Sequence, residues 1–225
     1  MGSDELFHKR KAKQTKELKR KKEKRAPYDK VLIVCEGQKT EPNYFLELRD
    51  YYRLNTANVE ISGDSGSAPL SVVERAKQLY RDEKRNGIPF NRVYCVFDKD
   101  THMSYQSALR EVTNAKPGGT FFAINSVPCF EYWLLLHFVY TSRPFHGTAG
   151  AKSAADQVLE ELKKYIESYA KGDQGYFEIL INQLPQAIQY SRRVLIEAKA
   201  NGTDNPSTLV HELVEYLQGL ASPAR

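Results

Sequence analysis

Val31-Leu32-Ile33-Val34-Cys35-Glu36-Gly37 is an unbroken apolar run, rich in branched side chains, stopped by a carboxylate and a glycine. A strand with one wet face alternates polar and apolar residues. A continuous run is what a strand covered on both faces requires, and sheets covered on both faces are mainly parallel. Directly after the run, Thr40-Glu41-Pro42 supplies helix-start chemistry, with Pro42 suited to the first turn of a helix through Asn43-Tyr44-Phe45-Leu46-Glu47-Leu48. The unit is strand, turn, helix, with Glu36 at the turn.

The same unit recurs along the chain. Val59-Glu60-Ile61 reads as a short strand, followed by the small-residue segment Ser62 to Pro69 and a helix marked by Leu70, Val73, Ala76, Lys77 and Tyr80 up to the Asn86-Gly87 breaker. Arg92-Val93-Tyr94-Cys95-Val96-Phe97 is a third strand ending at Asp98-Lys99-Asp100, with a helix expected over Ser104 to Ala115. Thr120 to Asn125 is a fourth strand. Strands alternating with helices at this spacing predict an α/β fold with a mainly parallel sheet flanked by helices. After Pro128 the pattern becomes helical, with helices expected over Ala154 to Tyr169, Gln174 to Ala200 and Pro206 to Leu220. The body, 27–225, is therefore one domain, with a core over about 30–140 and a helical C-terminal extension over about 141–225.

Composition narrows the class further. With 225 residues, 41% hydrophobic and 27% charged, the chain is an ordinary globular one. Cys35, Cys95 and Cys129 are odd in number, far apart and set in apolar runs, which excludes a disulfide framework or a C-x-x-C metal site and implies a reducing, cytoplasmic setting. The most apolar stretch, Phe121 to Tyr140, is interrupted by Asn125, Ser126, Glu131 and His137, so no membrane span is expected. The net charge of +5 is unevenly placed: residues 8–25 alone carry a net +9, leaving the body slightly acidic. A segment this basic cannot bury apolar surface. The tail, 1–26, is expected to be flexible and to meet nucleic-acid phosphates through Lys9, Arg10, Lys11, Arg20, Lys21, Lys22 and Arg25, or else to act as a solubilising terminus.

In an open parallel sheet the ligand crevice lies outside the carboxyl ends of the strands, where Glu36, Asp98 and Asp100 fall. Three converging carboxylates repel one another unless a cation sits among them, and an all-oxygen set favours Mg2+ or Mn2+. Such an ion pairs with phosphate oxygens, so phosphoryl chemistry is the economical inference. A lone Asp-x-Asp after a strand also serves as turn or cap chemistry.

Val31 to Gly37 followed by Val96-Phe97-Asp98-Lys99-Asp100 resembles the motif pair of the TOPRIM fold of primases, topoisomerases and nucleases. More closely, Ile33 to Phe45, Phe97 to Asp100, Asn125 to Phe138 and Asn205-Pro206-Ser207-Thr208 through Val214 are similar to the RloB-like family, over about Lys30 to Leu217. The resemblance implies a TOPRIM-type, metal-dependent endonuclease acting on DNA or RNA in bacterial or archaeal phage defence, often encoded beside an ABC-type ATPase as a possible partner. It further implies that Glu36 is an acid-base group or ligand and that Asp98 and Asp100 hold Mg2+. The alternative is a non-catalytic subunit that binds nucleic acid or the ATPase. Many TOPRIM enzymes place a further acid just after Asp-x-Asp, whereas Thr101-His102 stands here. Glu131, a carboxylate at the head of the apolar Phe130 to Leu136 segment, is the candidate to complete the catalytic set, with Asp64 as another possible ligand. A charge in such a segment is costly without a partner, although an acid at a helix start also suits the helix dipole. His102 is expected in a solvent-facing loop and His137 hydrogen-bonded near the core.

Overall fold

The computed structural model describes residues 29–56, 58–100, 102–147 and 152–221. The basic tail, with Lys9, Arg10, Lys11, Arg20, Lys21, Lys22 and Arg25, lies outside the described residues. The apolar run forms strand β1 (Val31–Cys35), every residue of it buried, and leads into helix α1 (Thr40–Tyr51). There follow β2 (Val59–Ser62), α2 (Pro69–Asn86), β3 (Arg92–Asp98), α3 (Tyr105–Thr113) and β4 (Phe121–Val127). The C-terminal part adds α4 (Glu131–Leu135), α5 (Ala154–Lys163), α6 (Tyr176–Leu180), α7 (Leu184–Ala200), β5 (Ser207–Thr208) and α8 (Val210–Ala221).

The strands form one sheet in the order β2-β1-β3-β4-β5. β1 pairs in parallel with β2 and β3, and β3 with β4, while β5 pairs antiparallel with β4. The chain thus has the mainly parallel α/β architecture expected of its strand–helix alternation. Alternation along β1 divides the core in two. Val31, Ile33 and Cys35 face a large cluster with Phe45, Leu48, Trp133, Leu162 and Leu213, whereas Leu32 and Val34 face Val72, Val73, Ala76 and Ala108. The first layer comes from α1 and the C-terminal helices and the second from α2 and α3. Both faces are covered, which is why the strand tolerates no polar position.

Three helix expectations need correction. The helix expected to run to Tyr169 stops at Lys163, and the Gln174 to Ala200 segment divides into α6, the short 3-10 turn Ile181–Gln183 and α7, with Pro185 in the first turn of α7. Pro206 to Leu220 is not all helix. Ser207 and Thr208 are extended because they pair with Val127 and Ser126, and the hydroxyls of Ser126 and Thr208 lie 2.9 Å apart. The C-terminal extension therefore completes the sheet rather than standing beside it. Among the described residues, no helix is long and apolar enough to cross a membrane.

Candidate functional site

The parallel register carries the ends of β1, β3 and β4 to one edge of the sheet. Glu36, one residue past β1, has a largely buried side chain whose Oε2 accepts the backbone N–H of Asp98 at 3.0 Å. Asp98, the last residue of β3, accepts the N–H of Phe130 through Oδ2 at 3.1 Å, which ties it to the segment opening α4. The next residue in that segment is Glu131, only 2% exposed.

A fourth carboxylate joins them. Glu41, in the first turn of α1, is buried at 7% exposure and interacts electrostatically with Glu36, Asp98 and Glu131. Gly37 makes room for it, since a Cβ there would come within 2.6 Å of Glu41 Oε2. Burial pushes the Glu41 carboxyl up to about 7, reinforced by repulsion from Glu131 and Glu36. Burial raises Asp98 well above the carboxylate range, with repulsion from Glu41 and Glu131 adding to it. Glu36 is raised as well, chiefly by burial, against the opposing effects of the Asp98 N–H and His102.

Two basic side chains face the cluster. His102 Nε2 stands 3.2 Å from Glu36 Oε1, so this histidine belongs to the crevice rather than to open solvent. Lys171, on the loop between α5 and α6, reaches Glu131 Oε1 at 3.1 Å, while the Tyr169 hydroxyl donates to the same oxygen at 3.3 Å. Burial works against the charge on Lys171, but Glu131 more than offsets this and raises its pKa. The loop is pinned to α1 by Asn43, whose amide donates to the Gly172 carbonyl at 3.0 Å.

Asp100 lies at the exposed rim, and its charge repels Glu36, adding to the rise in that carboxyl's proton affinity. Its backbone has φ +30°, an unusual value for a residue with a side chain, and is held there by hydrogen bonds from Lys99 N–H to the Ser126 carbonyl and from Asp100 N–H to the Pro128 carbonyl. Lys99 is braced by Asp204 at 2.7 Å, just before the Asn205-Pro206-Ser207-Thr208 segment. Asn205 in turn clasps Phe145 through two hydrogen bonds. The late motif thus supports the loop carrying Asp100. A crevice of about 230 Å3 opens beside it, lined in part by Lys99, Asp100, Pro128, His146 and Asn205.

The structure therefore brings Glu36, Asp98 and Glu131 together with Asp100 at the margin. It leaves Asp64 out: that side chain is 88% exposed and faces Arg75 at 3.7 Å. His137 is fully buried, with Nδ1 3.1 Å from the Trp133 carbonyl, as a core histidine should be. Sequence reading passed over Glu41 and Lys171. Glu41 carried a usable signal, being one turn beyond Glu36 and followed by Pro42. Lys171 carried none, because only the folded loop brings it to Glu131.

Carboxylate oxygens are the donors a hard divalent cation takes, and at Glu36, Glu41 and Asp98 the raised proton affinity marks carboxylates that gain from a nearby positive charge. Among the described residues, no group of three or more His, Cys, Asp or Glu side chains stands arranged as a metal cage. The family model described as RloB-like protein matches residues 31–217. No curated protein and no solved structure matches the chain.

Proposed function

Because the chain belongs to the RloB-like family, we propose that it is a metal-dependent, TOPRIM-type nuclease that hydrolyses phosphodiester bonds of DNA or RNA in bacterial or archaeal phage defence. The observation that carries this reading is the accumulation of Glu36, Glu41, Asp98 and Glu131 at one sheet edge, with Glu41 raised to about 7 by burial and like charge. A fold gains no stability from crowding acids out of water, and this cost supports a functional role for the arrangement.

Asp98 and Asp100, with Glu36, would hold Mg2+ or Mn2+. When bound, the ion would offset the carboxylate repulsion, polarise the phosphoryl group and lower the pKa of its water. Glu36, anchored by the Asp98 N–H, would orient the attacking water. Glu41, raised to about 7, would accept the proton that water gives up near neutral pH, and Glu36 is a second carboxylate of raised proton affinity beside it. Lys171 supplies positive charge beside the acids and would offset the crevice's repulsion of a phosphate, with His102 as a further hydrogen-bonding partner of Glu36. A nearby ABC-type ATPase remains part of the proposal as partner.

A second reading, a non-catalytic subunit binding nucleic acid or the ATPase, is favoured by the pairing of Glu36 with His102 and Glu131 with Lys171 and by the lack of a preset cage among the described residues. Incubating the purified protein with labelled DNA and RNA, in Mg2+, Mn2+ or EDTA, separates the two. Metal-dependent cleavage that Glu36→Gln abolishes supports the nuclease. Binding without cleavage in any metal supports the subunit.

A further inference from the structure

On the face of the sheet away from the C-terminal helices, α2 and α3 enclose a cleft of about 310 Å3 at the edge opposite the carboxylates. Its rim carries Lys77, Arg81 and Lys84 from α2 and Lys116 from the turn after α3. Its floor is the edge-to-face pair Tyr80 and Phe121, with centroids 5.3 Å apart. Lys77 is engaged by Glu111, whereas Arg81, Lys84 and Lys116 are exposed and, among the described residues, have no carboxylate within ion-pair distance. The body of the chain from Ala26 is slightly acidic overall, so this concentration of unneutralised cations is local rather than a reflection of composition.

The spacing within the cleft is informative. Lys77, Arg81 and Lys84 sit at i, i+4 and i+7 on α2, so they form one stripe about 10 Å long. That is the axial rise of roughly three phosphates on one nucleic-acid strand, and Lys116 adds a fourth cation across the cleft. α2 itself begins at the carboxylate edge, where Ser65 donates to the Cys35 carbonyl at 2.5 Å, and runs down to the cleft. β4 spans the same interval, from Phe121 at the cleft to Val127 beside the acids, about 20 Å at the usual rise per residue. The upper part of the α2 groove holds Asp64 and Glu74 beside Arg75, which confines the cationic grip to the lower end.

We propose that the Lys77, Arg81, Lys84 and Lys116 cleft is a nucleic-acid backbone site, gripping the substrate strand about 20 Å from the carboxylate crevice and independently of the basic tail. The choice of a nucleic-acid strand over another polyanion rests on the function proposed above.

The test is fluorescence-anisotropy titration of a labelled single-stranded oligonucleotide with the full chain in EDTA, so that neither metal nor cleavage enters the readout. The triple variant Arg81→Ala, Lys84→Ala, Lys116→Ala is compared with Lys163→Ala, Lys164→Ala on the far helical layer. Removing three phosphate contacts should lower the slope of log affinity against log salt by about 2 and weaken binding at moderate salt at least about fivefold. The control pair should change neither by a comparable amount, and both variants should melt with the parent protein. An unchanged slope in the triple variant, or an equal loss in the control, overturns the site. Competition with inorganic phosphate and tripolyphosphate forms the second arm. Displacement of the oligonucleotide by tripolyphosphate at equal or lower concentration would assign the cleft to a small anion and overturn the strand site. Loss of cleavage with this binding intact would count against the proposed hydrolysis alone.

Discussion

Replacing Glu41 by Gln should stabilise the protein at alkaline pH, which is the reverse of what most substitutions at a buried position do. The Glu41 carboxyl is raised from 4.5 to about 7 in the folded chain, first by burial and then by repulsion from Glu131 and Glu36. An acid whose pKa rises on folding binds its proton more tightly in the folded state. It therefore costs nothing below pH 4.5 and destabilises progressively as pH climbs to about 7, reaching its full effect above that. A shift of this size corresponds to about 3 kcal/mol. For a chain of 225 residues that is roughly 6–12 °C in melting temperature. The parent protein, in EDTA, should thus melt lower at about pH 8 than at about pH 5, and Glu41→Gln should remove much of that difference by keeping a side chain of the same shape without its charge. Thermal unfolding followed by circular dichroism at the two pH values measures both effects. Raised proton affinities at Asp98 and Glu36 act with the same sign, so some pH dependence should survive in the variant. A variant as pH-dependent as the parent, or one that melts lower at both pH values, would refute the picture of Glu41 as a crowded carboxylate.

Glu131→Gln should abolish cleavage while leaving folding and substrate binding in place, and a rate within about threefold of the parent, a barrier change of only ~0.7 kcal/mol, would remove Glu131 from the catalytic set. Gly63→Ala should cost roughly 1–3 kcal/mol, because a Cβ there would lie 2.8 Å from both the Gly37 carbonyl and Pro42 Cγ and push the turn carrying Glu36; urea denaturation with an unshifted midpoint would show that the turn yields freely. Deleting residues 1–25 should lower the salt dependence of nucleic-acid binding without moving the melting temperature, and an unchanged salt slope would place the whole binding surface on the body.

The four parallel strands were legible because their signal is local. Val31 to Cys35 and Val93 to Phe97 are buried throughout because both faces of the sheet are covered, and a run of that kind declares itself without knowledge of its neighbours. Glu36, Asp98 and Asp100 could be grouped from sequence for a related reason: parallel pairing in register sends successive strand ends to the same edge. Helix ends in the C-terminal third were less legible. Ser207 and Thr208 leave the helical pattern through pairing with a distant segment, and β5 exists only because Ser126 and Val127 offer it an edge. The composition of the site was decided by the tertiary structure. Glu41 reads as an ordinary acid in a first helical turn until α1 packs it against Glu36, Asp98 and Glu131 and removes its water. Lys171 reads as one surface lysine among many until Asn43 fixes the Gly172 backbone and delivers the ammonium group to Glu131. Periodicity reports which face of an element is buried, but burial beside like charge depends on which elements meet, and that is set only when the chain closes.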